Sequence, residues 1–194
     1  MNACKQRFST AENANFFATD GKSLSMLADQ SVDFVFSFDS LVHVEADVID
    51  AYMIELSRVL PPNGIGFIHH SNLGAYLPSL RVAHLLNKAA GPVPLARQAL
   101  TNLGIIRWNH LRAASMTSER FAIACSKAGL VCVGQELINW GDIGRKMIDC
   151  LSLVARPDSR WARANVTVSN PNFMDEAFSA GRIASVYTSL GASR

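Results

Sequence analysis

Runs of apolar residues alternate along the chain with stretches in which apolar residues recur every three or four positions. The runs predict strands at 15–18, 33–38, 64–70, 130–137 and 148–155. The run "DFVFSF" at 33–38 lacks clean polar alternation, which is typical of a strand covered on both faces. We therefore expect this strand to be central in its sheet and parallel to its neighbours.

Helical spacing predicts helices between these strands. One helix starts at Asp47, a candidate N-cap, and continues until two prolines at 61–62 end the pattern. Thr117 is placed to cap a second helix, which Gly129 is placed to terminate. A third helix, near the C-terminus, is expected to open at 170–171, where Asn precedes Pro.

The resulting β-α-β-α-β order predicts an open α/β sheet, which binds ligands outside the carboxyl ends of its parallel strands. Polar side chains follow two of the predicted strands at this end. Asp39, Ser40 and His43 follow one strand, and His70 and Asn72 follow the next. Both sets are expected to line one crevice.

Composition narrows the class of protein. A chain of 194 residues, 49% hydrophobic and 18% charged, can bury a core and is expected to be soluble, globular and ordered. A net charge of +2 does not indicate a nucleic-acid or membrane partner. The N-terminus has no apolar signal segment and no run reaches the roughly 18 apolar residues of a membrane span, which favours the cytoplasm. The four cysteines form no C-x-x-C pair, which favours reduced core thiols over disulfides or a zinc site.

Four segments, in this order, carry a family resemblance: "FFATDGKSL", "SVDFVFSFDSLVHVE", "IELSRVLPPNGIGFIHHSN" and "AGLVCVGQELI". Together they resemble the third strand onward of a class I S-adenosylmethionine-dependent methyltransferase. The resemblance covers most of residues 1–155. It implies a partial Rossmann-like α/β fold at 1–155, with a mostly parallel sheet and a final antiparallel strand. Residues 156–194 are expected to form a C-terminal extension with a helix.

The resemblance implies S-adenosylmethionine as the cofactor and part of its binding site. Asp20 matches the family's acidic residue that accepts a hydrogen bond from the adenine amino group, and Gly21 and Lys22 follow it. The alternative for Asp20 is a turn residue without a ligand. Ser37 and Phe38 match the residues that approach the cofactor from the end of the fourth family strand.

One family feature has no counterpart in this sequence. In the family, a glycine-rich loop and two strands precede these segments and hold the methionine and ribose parts of the cofactor, but no glycine precedes Gly21. The resemblance therefore implies a chain that is truncated and impaired as given, and that binds S-adenosylmethionine poorly or not at all. Because the family's first strand lies beside the fourth, we also expect an unpaired apolar edge at 33–38, covered in a homodimer or by a partner chain.

Two histidines are candidate general bases for an acceptor that loses a proton as it attacks, because imidazole titrates near working pH. For His43 the alternative is a hydrogen-bonded core or helix-start histidine. His69 and His70 face opposite sides of a strand, so at most one serves the site. His70 is the candidate because it is nearer the end of the strand. A metal site of His43, His70 and His110 lacks close ligand spacing, and we predict no metal.

The segment 71–116 is too long for a simple connection and is expected to form a helical cap. No acidic residue lies between Glu55 and Glu119, whereas basic residues are frequent there. The cap is therefore expected to attract an anionic acceptor, with Asn72, Arg107 and Arg112 as the substrate residues. The alternative is a solvated face balanced by acidic residues elsewhere. Aromatic residues are too sparse in this segment to indicate single-stranded nucleic acid.

Two functions follow. The first is S-adenosylmethionine-dependent methyl transfer to an oxygen or nitrogen atom of a small acceptor, anionic acceptors such as sugar derivatives included. The second is a non-catalytic binding or assembly module that retains the second half of the methyltransferase fold. Neither function involves nucleic acid or a membrane.

Overall fold

The computed structural model of the chain describes residues 2–78, 112–141 and 146–191. Its elements are, in chain order, α1 (Asn2–Arg7), β1 (Phe34–Leu41), α2 (Ala46–Val59), β2 (Ile65–Ser71), a 3-10 turn (Leu73–Tyr76), α3 (Ser118–Lys127), β3 (Val131–Ile138), β4 (Asp149–Ala155), β5 (Thr167–Asn170) and α4 (Phe173–Gly191). The strands form a five-stranded sheet in the order β1-β2-β4-β3-β5.

The sheet is mixed. β1 pairs in parallel with β2, and β3 pairs in parallel with β5. β4 is antiparallel to both of its neighbours, β2 and β3. The predicted α/β fold with an antiparallel strand late in the chain is confirmed. β5, which the sequence analysis did not predict, adds a strand from the C-terminal extension to the same sheet, and the division at residue 155 stays a prediction.

The helix α2 forms because its apolar residues recur on one face. Ile49, Met53 and Leu56 are buried on that face, where each contributes roughly 1.5–3 kcal/mol. The helix ends, as predicted, before the two prolines at 61–62. Its N-cap is Glu45 and not the predicted Asp47, which lies in the first turn, where a carboxylate also stabilises the helix dipole.

The helix α3 has the predicted cap and terminator. Thr117 Oγ1 accepts a hydrogen bond from the Arg120 N–H at 2.9 Å, and Gly129 follows the helix with a φ of 77°. Phe121 is fully buried in the core that α2 and α3 form with one face of the sheet, where it packs with residues such as Ile68. Both helices therefore cover the same side of the sheet.

β1 is parallel to β2, as predicted, but it lies at the edge of the described sheet. Its side chains on the face away from α2 are exposed: Phe34 by 57%, Phe36 by 63% and Phe38 by 38%. The prediction of a central strand covered on both faces is therefore wrong for the described part of the chain. An apolar run shows that a strand can be covered, but it does not show what covers it.

The prediction of a strand at 15–18 is wrong as well. Residues 13–20 form no regular secondary structure. A strand needs a hydrogen-bonded neighbour, and the described sheet offers none to this segment.

Most of the predicted cap at 71–116 lies outside the described residues, including Arg107 and His110. Three of the four cysteines, Cys125, Cys132 and Cys150, are buried free thiols, whereas Cys4 is exposed. Within the described ranges, no helix combines the length and the apolar composition needed to cross a membrane.

Candidate active site at the ends of the first two strands

β1 bends at an irregularity shortly before its end at Leu41. The register with β2 shifts between Ser37 and Leu41, and Asp39 has a φ of 54°. This left-handed conformation is uncommon for residues other than glycine, although Asp tolerates it better than most. The Asp39 N–H donates to Nδ1 of His69 at 3.1 Å, so a side chain of β2 holds the bend.

A buried ion pair lies beside this bend. Arg112 Nε is 3.0 Å from Asp149 Oδ1, and Arg112 Nη2 is 2.8 Å from Asp149 Oδ2. The Asp149 side chain is 0% exposed and that of Arg112 is 9% exposed. Two donors that meet two oxygens form a bidentate pair, the stronger geometry for arginine and a carboxylate.

Arg112 also connects the ends of several elements. Its Nη2 lies 3.4 Å from Asp39 Oδ1, and its Nη1 lies 3.5 Å from His43 Nε2. Its guanidinium is 5.7 Å from the centre of the Trp140 ring, which follows β3. We call Asp39, His43, His69, Arg112 and Asp149 the exit cluster.

The exit cluster changes the interpretation of Arg112. Two carboxylates, Asp39 and Asp149, already face its guanidinium, so the predicted role of attracting an anionic substrate is not supported by its contacts. The predicted partner in that role, Arg107, lies outside the described residues.

His43 is the predicted catalytic residue that the structure brings into the exit cluster. It is exposed and lies between the end of β1 and the start of α2. It therefore has the access to solvent that a general base needs.

His70 has a different environment, inside the core. Its ring stacks on Phe121 at 4.0 Å, its Nδ1 donates to the Ser71 carbonyl at 2.9 Å, and its Nε2 accepts from the Ser152 hydroxyl at 2.8 Å. Burial lowers the pKa of His70 from 6.5 to about 4. These contacts fit a neutral structural histidine and do not support the predicted general base.

His69, which the sequence analysis set aside, faces the exit cluster. Its ring is fully buried and lies 4.9 Å from the Phe38 ring and 5.2 Å from the Trp140 ring, measured between centroids. The two histidines face opposite sides of β2, as predicted, and His69 rather than His70 lies at the exit cluster. The available signal was the apolar Ile68, which shares the core face with His70.

The predicted substrate residue Asn72 is 2% exposed and ties the end of β2 to two other segments. Its Nδ2 donates to the Met147 carbonyl, and its Oδ1 accepts from the Ser118 N–H, each at 2.8 Å. Both ends of the amide are thus engaged within the chain, so its contacts indicate a structural role.

The loop that contains Asp20 is a turn at the same end of the fold. Asp20 Oδ1 accepts from the backbone N–H groups of Lys22 at 2.9 Å and Ser23 at 2.7 Å, which lowers the pKa of the carboxyl. Gly21 has a φ of 84° and open space around its Cα. Lys22 Nζ binds Asp47 Oδ2 at 2.7 Å. The loop therefore lies at the N-terminal end of α2, which is also the end at which β1 exits.

Ser37 provides a test of whether a ligand fits this end of the fold. Its hydroxyl is buried and has no hydrogen-bond partner among the residues that the structure describes. An unsatisfied buried hydroxyl costs about 1–3 kcal/mol, which a polar ligand atom would offset. Phe38, the next residue, is partly exposed. Phe38 points to the opposite face of β1, toward Trp140, so of the two predicted side chains the Ser37 hydroxyl is the one whose surroundings fit a polar ligand atom.

In the described ranges no group of three or more His, Cys, Asp or Glu side chains is arranged to hold a metal ion.

Comparisons with known proteins identify the fold. A family model described as "Methyltransferase domain" matches residues 1–68. The structure of PKMT2 from Rickettsia typhi in complex with AdoHcy matches with a TM-score of 0.50 and 13% identity, over 80% of this chain and 43% of that chain. The chain has the class I methyltransferase fold. The resemblance predicted from the sequence is therefore confirmed.

Two further structures show similarity to this methyltransferase-like chain. PH0226 protein from Pyrococcus horikoshii OT3 gives a TM-score of 0.49 and 18% identity, over 79% of this chain and 65% of that chain. A second structure of PKMT2 from Rickettsia typhi gives 0.46 and 14%, over 80% of this chain and 42% of that chain. The chain thus spans less than two thirds of the length of each. No curated protein matches it.

Proposed function

We propose that this chain serves S-adenosylmethionine-dependent methyl transfer to an oxygen or nitrogen atom of a small acceptor. The family match and the fold support the reaction class. The observation that carries the proposal is the buried hydroxyl of Ser37, which has no hydrogen-bond partner among the described residues and precedes the register shift of β1, toward the end of the fold that carries the Asp20 loop. Residues implied in cofactor binding by two separate sequence segments thus share one end of the fold.

The cofactor supplies the methyl group, and the residues of the chain bind and orient it. Asp20 accepts from the adenine amino group, with Gly21 and Lys22 forming the turn that presents its carboxylate. Ser37 gives a hydroxyl to a polar atom of the ligand. This set of residues serves the adenosine end of the cofactor.

His43 is the proposed general base. Its ring is exposed beside Arg112, whose positive charge is offset by the carboxylates of Asp39 and Asp149. Since Arg112 is already paired, a neutral hydroxyl or amine acceptor agrees better with the exit cluster than an anionic one does. Binding of an anionic acceptor would then depend on the basic residues outside the described ranges.

Thermal unfolding with three ligands tests the proposal. At a ligand concentration of about ten times the Kd, binding raises the stability by about 1.4 kcal/mol, or roughly 3–6 °C in Tm. We expect S-adenosylhomocysteine and adenosine to raise the Tm at millimolar concentration, methionine to leave it unchanged, and Asp20→Ala to reduce the response. Asp29→Ala is the matched control, because Asp29 is an exposed acid paired with Arg58. Equal responses to all three ligands, or none, would contradict the proposal.

The second candidate function, an assembly module, rests on a different observation. Phe34 and Phe36 are exposed on β1, which is the edge strand of the described sheet, and α4 exposes Phe178, Ile183 and Tyr187. Apolar sheet edges pair readily with other strands. We infer that a strand of a second copy, in a homodimer, or of a partner chain covers β1.

Light scattering during size-exclusion chromatography tests this assembly. We expect the purified chain to associate and Phe36→Lys to shift it toward the monomer. Tyr187→Lys, on α4, is the comparison variant that leaves β1 intact. A wild-type monomer at every concentration tested would exclude association through β1 between copies.

A further inference from the structure

The protonation pattern of His69 follows from its two contacts. Nδ1 accepts the Asp39 N–H at 3.1 Å, so this nitrogen carries no proton. In the neutral ring the proton is then on Nε2, which faces Asp149 Oδ2 at 3.5 Å. The first contact has good hydrogen-bond geometry, whereas the second is long. His69 is therefore tied mainly to the backbone of Asp39.

That backbone contact holds an unfavourable conformation. Asp39 has a φ of 54° at the register shift of β1, and residues with a side chain seldom take this conformation without local support. His69 is fully buried and packs against the rings of Phe38 and Trp140, so its Nδ1 is a fixed acceptor. The fixed acceptor favours this conformation of Asp39, and with it the irregularity of β1, over a regular extended strand.

The bend determines where the neighbouring residues of β1 lie. Ser37, the proposed cofactor residue, and Phe38 come immediately before it. Asp39 directs its carboxylate to Arg112, and the chain then continues to His43, the proposed base. The contact to His69 thus lies in the middle of the segment that carries both groups of proposed functional residues.

We propose that His69 is the positioning residue of this site, acting through the backbone of Asp39 to hold the exit of β1 in its ligand-binding conformation. The inference rests on the proposed function, since the ligand is the cofactor of methyl transfer. His69 touches neither ligand nor acceptor, because Phe38 and Trp140 cover its ring.

Two amide substitutions separate the contacts of His69. In His69→Asn the side-chain oxygen takes the place of Nδ1 and can accept the Asp39 N–H, but the group facing Asp149 is lost. In His69→Gln the amide reaches the place of Nε2, and the acceptor for Asp39 is lost. A purely space-filling role predicts that both variants behave alike.

Hydrogen exchange of the Asp39 amide, measured by NMR, gives a readout that does not depend on activity. We expect exchange in His69→Gln to be at least about tenfold faster than in the wild type, and exchange in His69→Asn to be close to the wild type. The Met53 amide, in the core of α2, reports global unfolding in every variant. His70→Gln is the matched control, because it alters the neighbouring buried histidine on the opposite face. Equal Asp39 exchange in all four proteins would overturn the proposal.

Titration with S-adenosylhomocysteine then connects the positioning to the ligand. We expect the shifts of the Ser37 and Phe38 amides to saturate as in the wild type for His69→Asn, and to require about tenfold more ligand for His69→Gln. Equal titrations of the two variants would overturn the role in ligand binding. A wild type without any response refutes the proposed function instead, and is recognised because Asp39 exchange still separates the two variants.

Discussion

Acidification should destabilise the protein through His70. The pKa of this buried imidazole is about 4 in the folded chain, whereas the ordinary value of 6.5 applies when the chain unfolds. Between these values the unfolded chain binds a proton that the folded chain does not bind. The contribution of the neutral ring is therefore complete above about pH 6.5 and is lost as the pH falls toward 4. The difference corresponds to about 3 kcal/mol in total, most of which is lost by about pH 4.5.

The structure explains why the folded chain resists this proton. Nδ1 donates to the Ser71 carbonyl, and Nε2 is occupied as the acceptor of the Ser152 hydroxyl, which itself accepts from Gln135 Nε2 at 3.1 Å. A proton on Nε2 would remove the acceptor of the Ser152 hydroxyl and leave a positive charge in the core.

Urea unfolding followed by circular dichroism, at several pH values between about 7.5 and 4.5, measures the effect in the wild type and in His70→Gln. Glutamine reaches Ser152 but cannot ionise, while every other titrating group is common to both proteins. We expect the wild type to lose about 2–3 kcal/mol more than the variant over this range. Parallel pH profiles would show that His70 takes up its proton in the folded chain, and would refute its placement in the core.

Three further predictions concern the exit cluster and the helix cap. Arg112→Ala should lower the free energy of unfolding, measured by urea titration, by about 3–5 kcal/mol, because it leaves the buried Asp149 without its partner. The double variant Arg112→Ala/Asp149→Ala should recover part of this loss. Thr117→Ala should cost about 1 kcal/mol in the same assay, because the Arg120 N–H loses its acceptor, whereas Ser118→Ala should cost less. His43→Ala should lower the turnover of an active form, measured by transfer of labelled methyl groups, by about a hundredfold, while the affinity for S-adenosylmethionine stays nearly unchanged. Turnover equal to that of the wild type would exclude His43 as the base.

The helices could be predicted because their signals are local. The spacing of apolar residues, the Thr117 cap and the glycine at 129 act within a few residues of the elements they define. The strand at 15–18 and the covered position of β1 could not be predicted in this way. Whether a strand is paired or covered depends on distant segments, and an apolar run is the same in either case.

The sequence predicted that two strands end side by side, but not the contacts between the side chains there. Polar residues after two strands correctly indicated that the ends of β1 and β2 meet. The bidentate contact of Arg112 with Asp149 joins residues 37 positions apart in the sequence, and no sequence motif predicts it. To choose between His69 and His70 one must know which face of β2 packs on the core. The burial of Ile68 identifies that face, and His70 lies on it.

The central claim is that the turn at Asp20 and the exit of β1 form one binding surface for the adenosine end of S-adenosylmethionine. Backbone amide shifts of the labelled chain, recorded during a titration with S-adenosylhomocysteine to roughly millimolar concentration, test it directly. We predict that the largest shifts lie at 20–22 and 37–39, saturate together, and are reproduced by adenosine alone. Shifts centred elsewhere, or saturation of the two segments at different concentrations, would contradict the claim.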